Sequence, residues 1–486
     1  MTAIKRARHV LPAVLALAVA CTGIYWPYDD VEETPVRSID RPDNYIRGGF
    51  GKIVVGVHRP EHGGEPEARY VALSGGGDTP TSIYRLSLGD EIGGGLAYSY
   101  ASAIRSDPFS LYFTGAALAS IPEWEYVDTD RGCVVIGEPG YEGSIGGFSR
   151  YCMDSSDTEN PRRIEGTNLA SPTVGMPTGA GRSLAVLASP ATASDAIPDS
   201  LRYVVVGAEG TAHLMGNMLS PTNTPGVEPP TGLETVDFGV AVAAGHTGTS
   251  WPAWLAVGSE GRVYVYGVWD DPATTGAGED PDHLWLQACY ESTGREGFGT
   301  LLWSADVDGD GRTELAVGSH PDTEGRTEDV VVVDGTTFHD GAVPDPYPTV
   351  ACTPVPEDAV FTCQDFPDRG IACGDQPDFG ASFAVGDLDD DGASEVVIGA
   401  PGALAGGKRA GAVLIYHPSN PAVPVSALRD AYPERNQKLG WAVAVSEIAG
   451  MDEVIAGAPG SKEVFVFYCS GVGQDDPDFH GGKVCR

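Results

Sequence analysis

The chain has 486 residues, with 30 Lys and Arg against 68 Asp and Glu, a formal net charge of −38. A surface of that sign repels nucleic acid and anionic lipid, so neither is expected as a partner. The 65 Gly and 37 Pro punctuate the chain too often for long helices, and no sustained 3.6-residue apolar period runs between residues 46 and 470, which leaves an all-β fold.

At the N-terminus, Lys5, Arg6 and Arg8 precede a short apolar run over 10–20, followed by Cys21. The run is too short for an ordinary spanning helix. The string LAVAC (17–21) resembles a bacterial lipobox. That resemblance implies a signal peptide over 1–20 and a lipidated Cys21; an ordinary secretory leader with an incidental cysteine is the alternative. Thr22, not Asp, follows the cysteine, which favours the outer membrane, facing the periplasm or the cell surface. Residues 21–45 are polar, acidic and Pro-containing, and read as a flexible tether.

From Phe50 and Gly51 onward the chain reads as seven units. Unit one runs through YVALSGG (70–76) and SIYRLS (82–87). Unit two starts near Gly95 with LAYSYASAI and contains CVVIGEPG (133–140). Unit three has RSLAVLAS (182–189) and YVVVGAEG (203–210), and unit four has Phe238 and Gly239 followed by LAVGSEGRVYVYG (255–267). Each unit opens on a strand of small residues and continues in a Val/Ile-rich run of the kind covered on both faces. The segment 45–57 is a candidate strand for the last unit, closing the array.

Units five and six carry DVDGDGRTELAVG (306–318) and DLDDDGASEVVIG (387–399). Alternating carboxylates in a tight loop suit a hard cation with oxygen ligands, Ca²⁺ above all. The expected ligands are Asp306, Asp308, Asp310, Glu314 and the Arg312 carbonyl in the first loop. In the second they are Asp387, Asp389, Asp391, Glu395 and the Ala393 carbonyl. Two Ca²⁺ sites are therefore expected. An EF-hand would need Glu at the twelfth position and flanking helices; here the twelfth residues are Val317 and Ile398, inside β-type runs. Unit seven has Leu439 and Gly440, then EVIAGAPG (453–460). Aligned on the second loop, its carboxylate positions hold Val445, Glu447 and Ala449, and Glu453 remains, so no tight site is expected there. VDTDRG (127–132) in unit two is too short and out of frame, and reads as a solvated turn.

The order Phe-Gly, small strand, acidic loop, apolar strand, Gly-Ala-Pro resembles the FG-GAP repeat of integrin α-subunit propellers. The resemblance implies a seven-bladed β-propeller over 46–472, with an insert at 340–378 and a C-terminal tail over 473–486. It also implies an interaction or adhesion role toward a protein or glycan ligand. The spacing of about 45 to 85 residues between units agrees with a propeller. Integrin α propellers usually carry more metal loops than the two seen here.

Setting Cys21 aside leaves eight cysteines, an even number that suggests disulfides in an exported chain. Pairing neighbours gives Cys133–Cys152, Cys363–Cys373 and Cys469–Cys485, which leaves Cys289–Cys352. No catalytic constellation emerges, and no enzyme activity is expected. HRPEH (58–62) matches a zinc-peptidase string but has Pro60 inside it, and GALAGGKR (402–409) lacks the hydroxyl residue a P-loop needs. Trp251, Trp254, Trp269, Trp285 and Trp303 are either core or a sugar-stacking platform. The long insert is the expected recognition surface, and a carbohydrate-binding propeller or polysaccharide-active enzyme is the alternative reading.

Overall fold

The computed structural model describes residues 37–40, 50–59, 68–75, 81–88, 96–104, 117–121, 133–137, 139, 146–152, 178–187, 203–215, 226–230, 237–248, 253–269, 283–292, 294–319, 329–338, 344, 349–356, 359–388, 393–448, 451–471 and 483–485. The leader, Cys21, the 127–132 turn and Trp251 lie outside them. The regular structure of the described part is almost all strand. Its only helical pieces are two three-residue 3-10 turns, Gly335–Thr337 and Pro367–Arg369.

Among the described residues the strands form seven sheets and a small eighth one. Along the chain, the sheets open with Ile53–Arg59, Leu118–Ile121, Ser183–Leu187, Val242–His246, Leu301–Ala305, Phe383–Gly386 and Ala442–Ile448. Each opening strand pairs antiparallel with the next strand of its own sheet. Each also lies against the opening strand of the following sheet, and Ala442–Ile448 lies against Ile53–Arg59. No sheet closes on itself among the described residues.

Apolar side chains collect between consecutive sheets. The second strand of sheet six, Glu395–Ala400, is buried throughout. Val396 and Ile398 join the cluster shared with sheet five, and Val397 joins the one shared with sheet seven. Alternate residues point to opposite faces, so a strand covered on both sides must be apolar at every position. Clusters of the same kind join sheets one and two, three and four, and four and five. Val54, Val71 and Leu73 meet Ile455, Val464 and Val466 between sheets one and seven.

The motif glycines lock neighbouring sheets together. The residue before each is buried: Phe50, Phe238, Phe298, Phe379 and Leu439 are at most 1% exposed. The following Gly takes a left-handed conformation, with φ between 78° and 86° at Gly51, Gly239, Gly299, Gly380 and Gly440. The Gly that ends the second strand of one sheet rests on this Gly of the next. A methyl added at Gly207, Gly258, Gly399 or Gly457 would strike the carbonyl of Gly239, Gly299, Gly440 or Gly51 respectively. Only a residue without Cβ permits that approach.

Three expectations change. Leu96–Ile104 pairs with Thr81–Leu88 as the fourth strand of sheet one, and does not open unit two; its alternating pattern suits either place, and the free edge of Thr81–Leu88 decides. Within the expected tether, Arg37–Asp40 pairs with Glu463–Gly471, Arg37 opposite Val466 and Asp40 opposite Glu463. It adds to an edge that would otherwise leave its backbone groups unpaired. The strand joined to the last sheet is therefore 37–40 and not 45–57, since Ile53–Arg59 belongs to sheet one.

The insert is not a free loop where it is described. After Asp329–Val333 of sheet five, Cys352–Pro354 runs parallel to His283–Glu291 of sheet four, and Ala359–Thr362 returns as the outer strand of sheet five. Ile371–Ala372 then pairs with Leu404–Ala405, whose hairpin partner is Lys408–Arg409. The P-loop-like string is thus a hairpin. Cys289–Cys352 and Cys363–Cys373 are disulfides. Backbone register sets Cys133 opposite Cys152 and Cys469 opposite Cys485; the last pair ties Lys483–Cys485, part of the expected tail, to sheet seven.

Candidate metal centre

The first acidic loop joins Leu301–Ala305 to Glu314–Gly318, whose ladder ends at Ala305 opposite Glu314. The loop then turns on its own side chains. Asp306 accepts the Gly309 N–H at Oδ1 (2.8 Å) and the Gly311 N–H at Oδ2 (3.0 Å). Asp308 accepts the Asp310 N–H (3.1 Å), and Asp310 the Arg312 N–H (2.8 Å). Such local bonds are what short acidic side chains offer a turn. Gly309 and Gly311 have φ of 77° and 83°, a conformation that costs other residues energy.

Ligand oxygens of Asp306, Asp308 and Glu314 lie within 4.8 Å of one another. Two oxygens on opposite sides of one Ca²⁺ are about 4.6–5.2 Å apart, twice the usual bond length, so the donor set and its spacing fit that ion. Asp310 is exposed and lies outside the cluster; its Oδ2 is 3.8 Å from the Arg312 Nε.

Glu314 is 4% exposed and has a second task that the sequence pattern did not reveal. Its Oε2 accepts the Val307 N–H (2.6 Å) and its Oε1 the Gly335 N–H (3.2 Å), bracing the loop against the start of a 3-10 turn. Burial pushes its carboxyl up to about 7; the two N–H donors pull it down, and the Asp308 and Asp306 charges push it up. Asp306 is also raised, first by burial, then by Asp308 and Asp310, against the pull of the Gly311 and Gly309 N–H groups. The cluster is thus short of positive charge, the condition a divalent cation relieves.

The loop is also tied to the sheet before it. The Thr313 N–H donates to the His246 carbonyl (2.9 Å), the His246 N–H to Thr313 Oγ1 (3.2 Å), and the Trp254 indole N–H to the Thr313 carbonyl (3.2 Å). A threonine before a motif glutamate carries no sequence signal, so this tie was not legible.

In the second loop Glu395 repeats the pattern: it is 4% exposed and accepts the Leu388 N–H (2.9 Å). Asp387 and Ala393 flank the loop, while Asp389 and Asp391 lie outside the described residues. In sheet seven, Glu453 occupies the same register, opposite Ser446, and is fully buried.

The tryptophans divide. Trp254 is fully buried, Trp285 is 3% exposed, and Trp303 stacks on Phe383 with centroids 5.8 Å apart. Trp254 and Trp285 stand opposite Gly245 and Gly267 and cover them. These rings are core, while Trp269 is half-buried at a strand end. The zinc-peptidase string starts at His58 within a strand, where a helix would be needed; His62 lies outside the described residues.

No curated protein matches the chain. The family model of the FG-GAP repeat matches residues 379–416, from the phenylalanine of the motif through the second acidic loop to the third strand of sheet six. The chain therefore carries an FG-GAP repeat.

Proposed function

We propose that the chain is a seven-bladed, calcium-supported propeller that works as an extracytoplasmic interaction or adhesion module, anchored through a lipidated Cys21. The observation that carries the architecture is the closing contact. Sheet seven meets sheet one through a glycine pair, Gly457 on Gly51, of the kind that joins sheets three to four, four to five and six to seven. A ring of repeats buries its faces only on its neighbours and so gains from closure.

Calcium supplies charge and cross-linking here, not catalysis. Asp306, Asp308 and Glu314 would hold one ion. Asp387, Asp389, Asp391 and Glu395 would hold another, with Asp310 and the Arg312 and Ala393 carbonyls as further donors. Binding to the folded state alone stabilises it by mass action. The disulfides and the export-type leader support an extracytoplasmic setting. Glycan binding is the second reading, but Trp254 and Trp285 cannot serve it, because they are buried.

Two measurements test this. Calorimetric titration of the metal-free protein with Ca²⁺ should show saturable binding that Asp308→Ala weakens; absence of binding would sink the calcium role. Treating intact cells with an impermeant protease should remove the module while a periplasmic control survives. Protection until the outer membrane is opened would refute surface adhesion.

A further inference from the structure

We propose that the turns at the seam of sheets seven and one form a binding site for an acidic saccharide, a sugar ring bearing a carboxylate or sulfate. The site centres on Trp441, which is half-buried. The ammonium of Lys438 lies 4.4 Å from its ring centroid and that of Lys52 lies 5.6 Å from it. Trp441 and Lys52 occupy corresponding places, each one residue past the motif glycine of its sheet, Gly440 and Gly51. A third cation, Lys462, stands in the adjoining turn. Its N–H and that of Ser461 bond the Ala458 carbonyl, next to the Gly457 carbonyl that accepts from Trp441, and the Gly460 N–H bonds the Gln437 carbonyl. Lys52, Lys438 and Lys462 are all exposed.

The backbone argues that two of these lysines are there for their side chains. Lys438 and Lys462 have φ of 63° and 66°. The place of Lys438, just before the motif pair, is held by Asp237, Gly297 and Asp378 in other sheets. The place of Lys462, just before the third strand, is held by Gly210 and Gly261. Gly takes this conformation freely and Asp tolerates it, whereas lysine is disfavoured. Strained residues of this kind cluster where a site needs them. In a chain with more than twice as many acidic as basic residues, two lysines meeting over one indole, with a third in the adjoining turn, run against the composition.

The acidic loops are remote from the site; Glu463, next to Lys462, and Asp40, opposite Glu463, are acidic residues at its border. The acidic loops leave from the far ends of the opening strands, about 15–20 Å away at ~3.3 Å per residue. Their charge is screened over about 8 Å at physiological salt. Ammonium groups alone would accept any anion. The indole adds a flat apolar face, and a uronate ring has both a C–H face to lie on it and a carboxylate at its rim for the lysines. An acidic peptide supplies only the charge.

The inference rests on the interaction-module reading and narrows its ligand class. The test titrates the full-length protein with tetragalacturonate, with a neutral tetrasaccharide and pentaglutamate as comparators. Tetragalacturonate should bind saturably and weaken with salt. Trp441→Ala, and Lys438→Gly with Lys462→Gly, should each raise its Kd by about tenfold or more. The glycine variants install residues the backbone favours, so their melting temperature should match or exceed the parent's, and weaker binding would not report failed folding. Absence of tetragalacturonate binding, or unchanged binding by the variants, overturns the proposal. Equal affinity for pentaglutamate with Trp441→Ala silent would mark a charge patch and overturn it too. Either failure with Ca²⁺ still raising the melting temperature leaves the calcium-supported module standing. Sugar binding by a protein whose melting temperature ignores Ca²⁺ would uphold the saccharide site and sink the calcium role.

Discussion

Sheets five and seven place a buried glutamate at the same register, Glu314 opposite Ala305 and Glu453 opposite Ser446, yet only one has an acidic loop above it. In sheet five the ladder stops at that pair and the chain turns through Asp306, Asp308 and Asp310. In sheet seven the ladder runs on through Glu447 opposite Asp452 to Ile448 opposite Met451. The glutamate is thus a position of the scaffold, and the cage is an addition built over it. Glu314 shows what the position does: both oxygens hold backbone N–H groups of the connections around it. Losing the aspartates would remove the proposed cation site without removing a sheet.

The strongest way to break this comparison is through the glycine contacts, which differ between the two sheets. A methyl at Gly457 would strike the Gly51 carbonyl, whereas one at Gly318 would sit 3.2 Å from the Gly380 carbonyl and 2.9 Å from the Trp303 ring. Gly457→Ala should destabilise by roughly 3 kcal/mol or more and Gly318→Ala by about 1–2 kcal/mol, read by denaturant unfolding. Equal losses would mean the closing contact is no tighter than the one at Gly318.

Calcium should separate the sheets next. Chelation should lower the melting temperature. At about 100 times its Kd, one ion adds about 2.7 kcal/mol, and Asp306→Ala with Asp308→Ala should abolish the share of sheet five. Glu447→Ala in sheet seven should leave the calcium response intact; a reduced response would place a site where the ladder leaves no loop.

Glu314→Gln sharpens the scaffold role. The amide cannot accept from both Val307 and Gly335, so one buried N–H loses its acceptor, at a cost of about 1–3 kcal/mol even without calcium. A neutral result in chelator would reduce Glu314 to a metal ligand.

The smallest effect is on pH dependence. Because burial raises the Glu314 carboxyl from 4.5 to about 7, the folded calcium-free protein holds this proton more tightly than the unfolded chain. Its stabilisation is complete below about 4.5 and is lost as the pH rises through about 7. In chelator, the melting temperature of the parent should fall across that window more than that of Glu314→Gln. Calcium, which takes the ionised form, should oppose the fall. Parallel curves for parent and variant would exclude the linkage.

Features that depend on neighbours in the chain were legible in the residues. The acidic loops, the Phe-Gly and Gly-Ala-Pro signals and the Cys363–Cys373 disulfide sit within short stretches. Their chemistry follows from spacing, and the match over 379–416 falls on the most complete repeat. Cys289–Cys352 was reached by elimination and is present too. The tertiary structure alone decided which edge each strand joins. RSID at 37–40 is too short and polar to read as a strand until Glu463–Gly471 offers it an unpaired edge. Leu96–Ile104 fits two sheets by pattern and one by pairing. Trp254 and Trp285 are sugar platforms or core in sequence, and core once Gly245 and Gly267 lie beneath them. The convergence of Lys52 on Trp441 spans almost the whole chain and exists because sheet seven meets sheet one. Local spacing determines which atoms can share a cation, but burial, edge pairing and seam contacts depend on partners hundreds of residues away, and only packing brings those together.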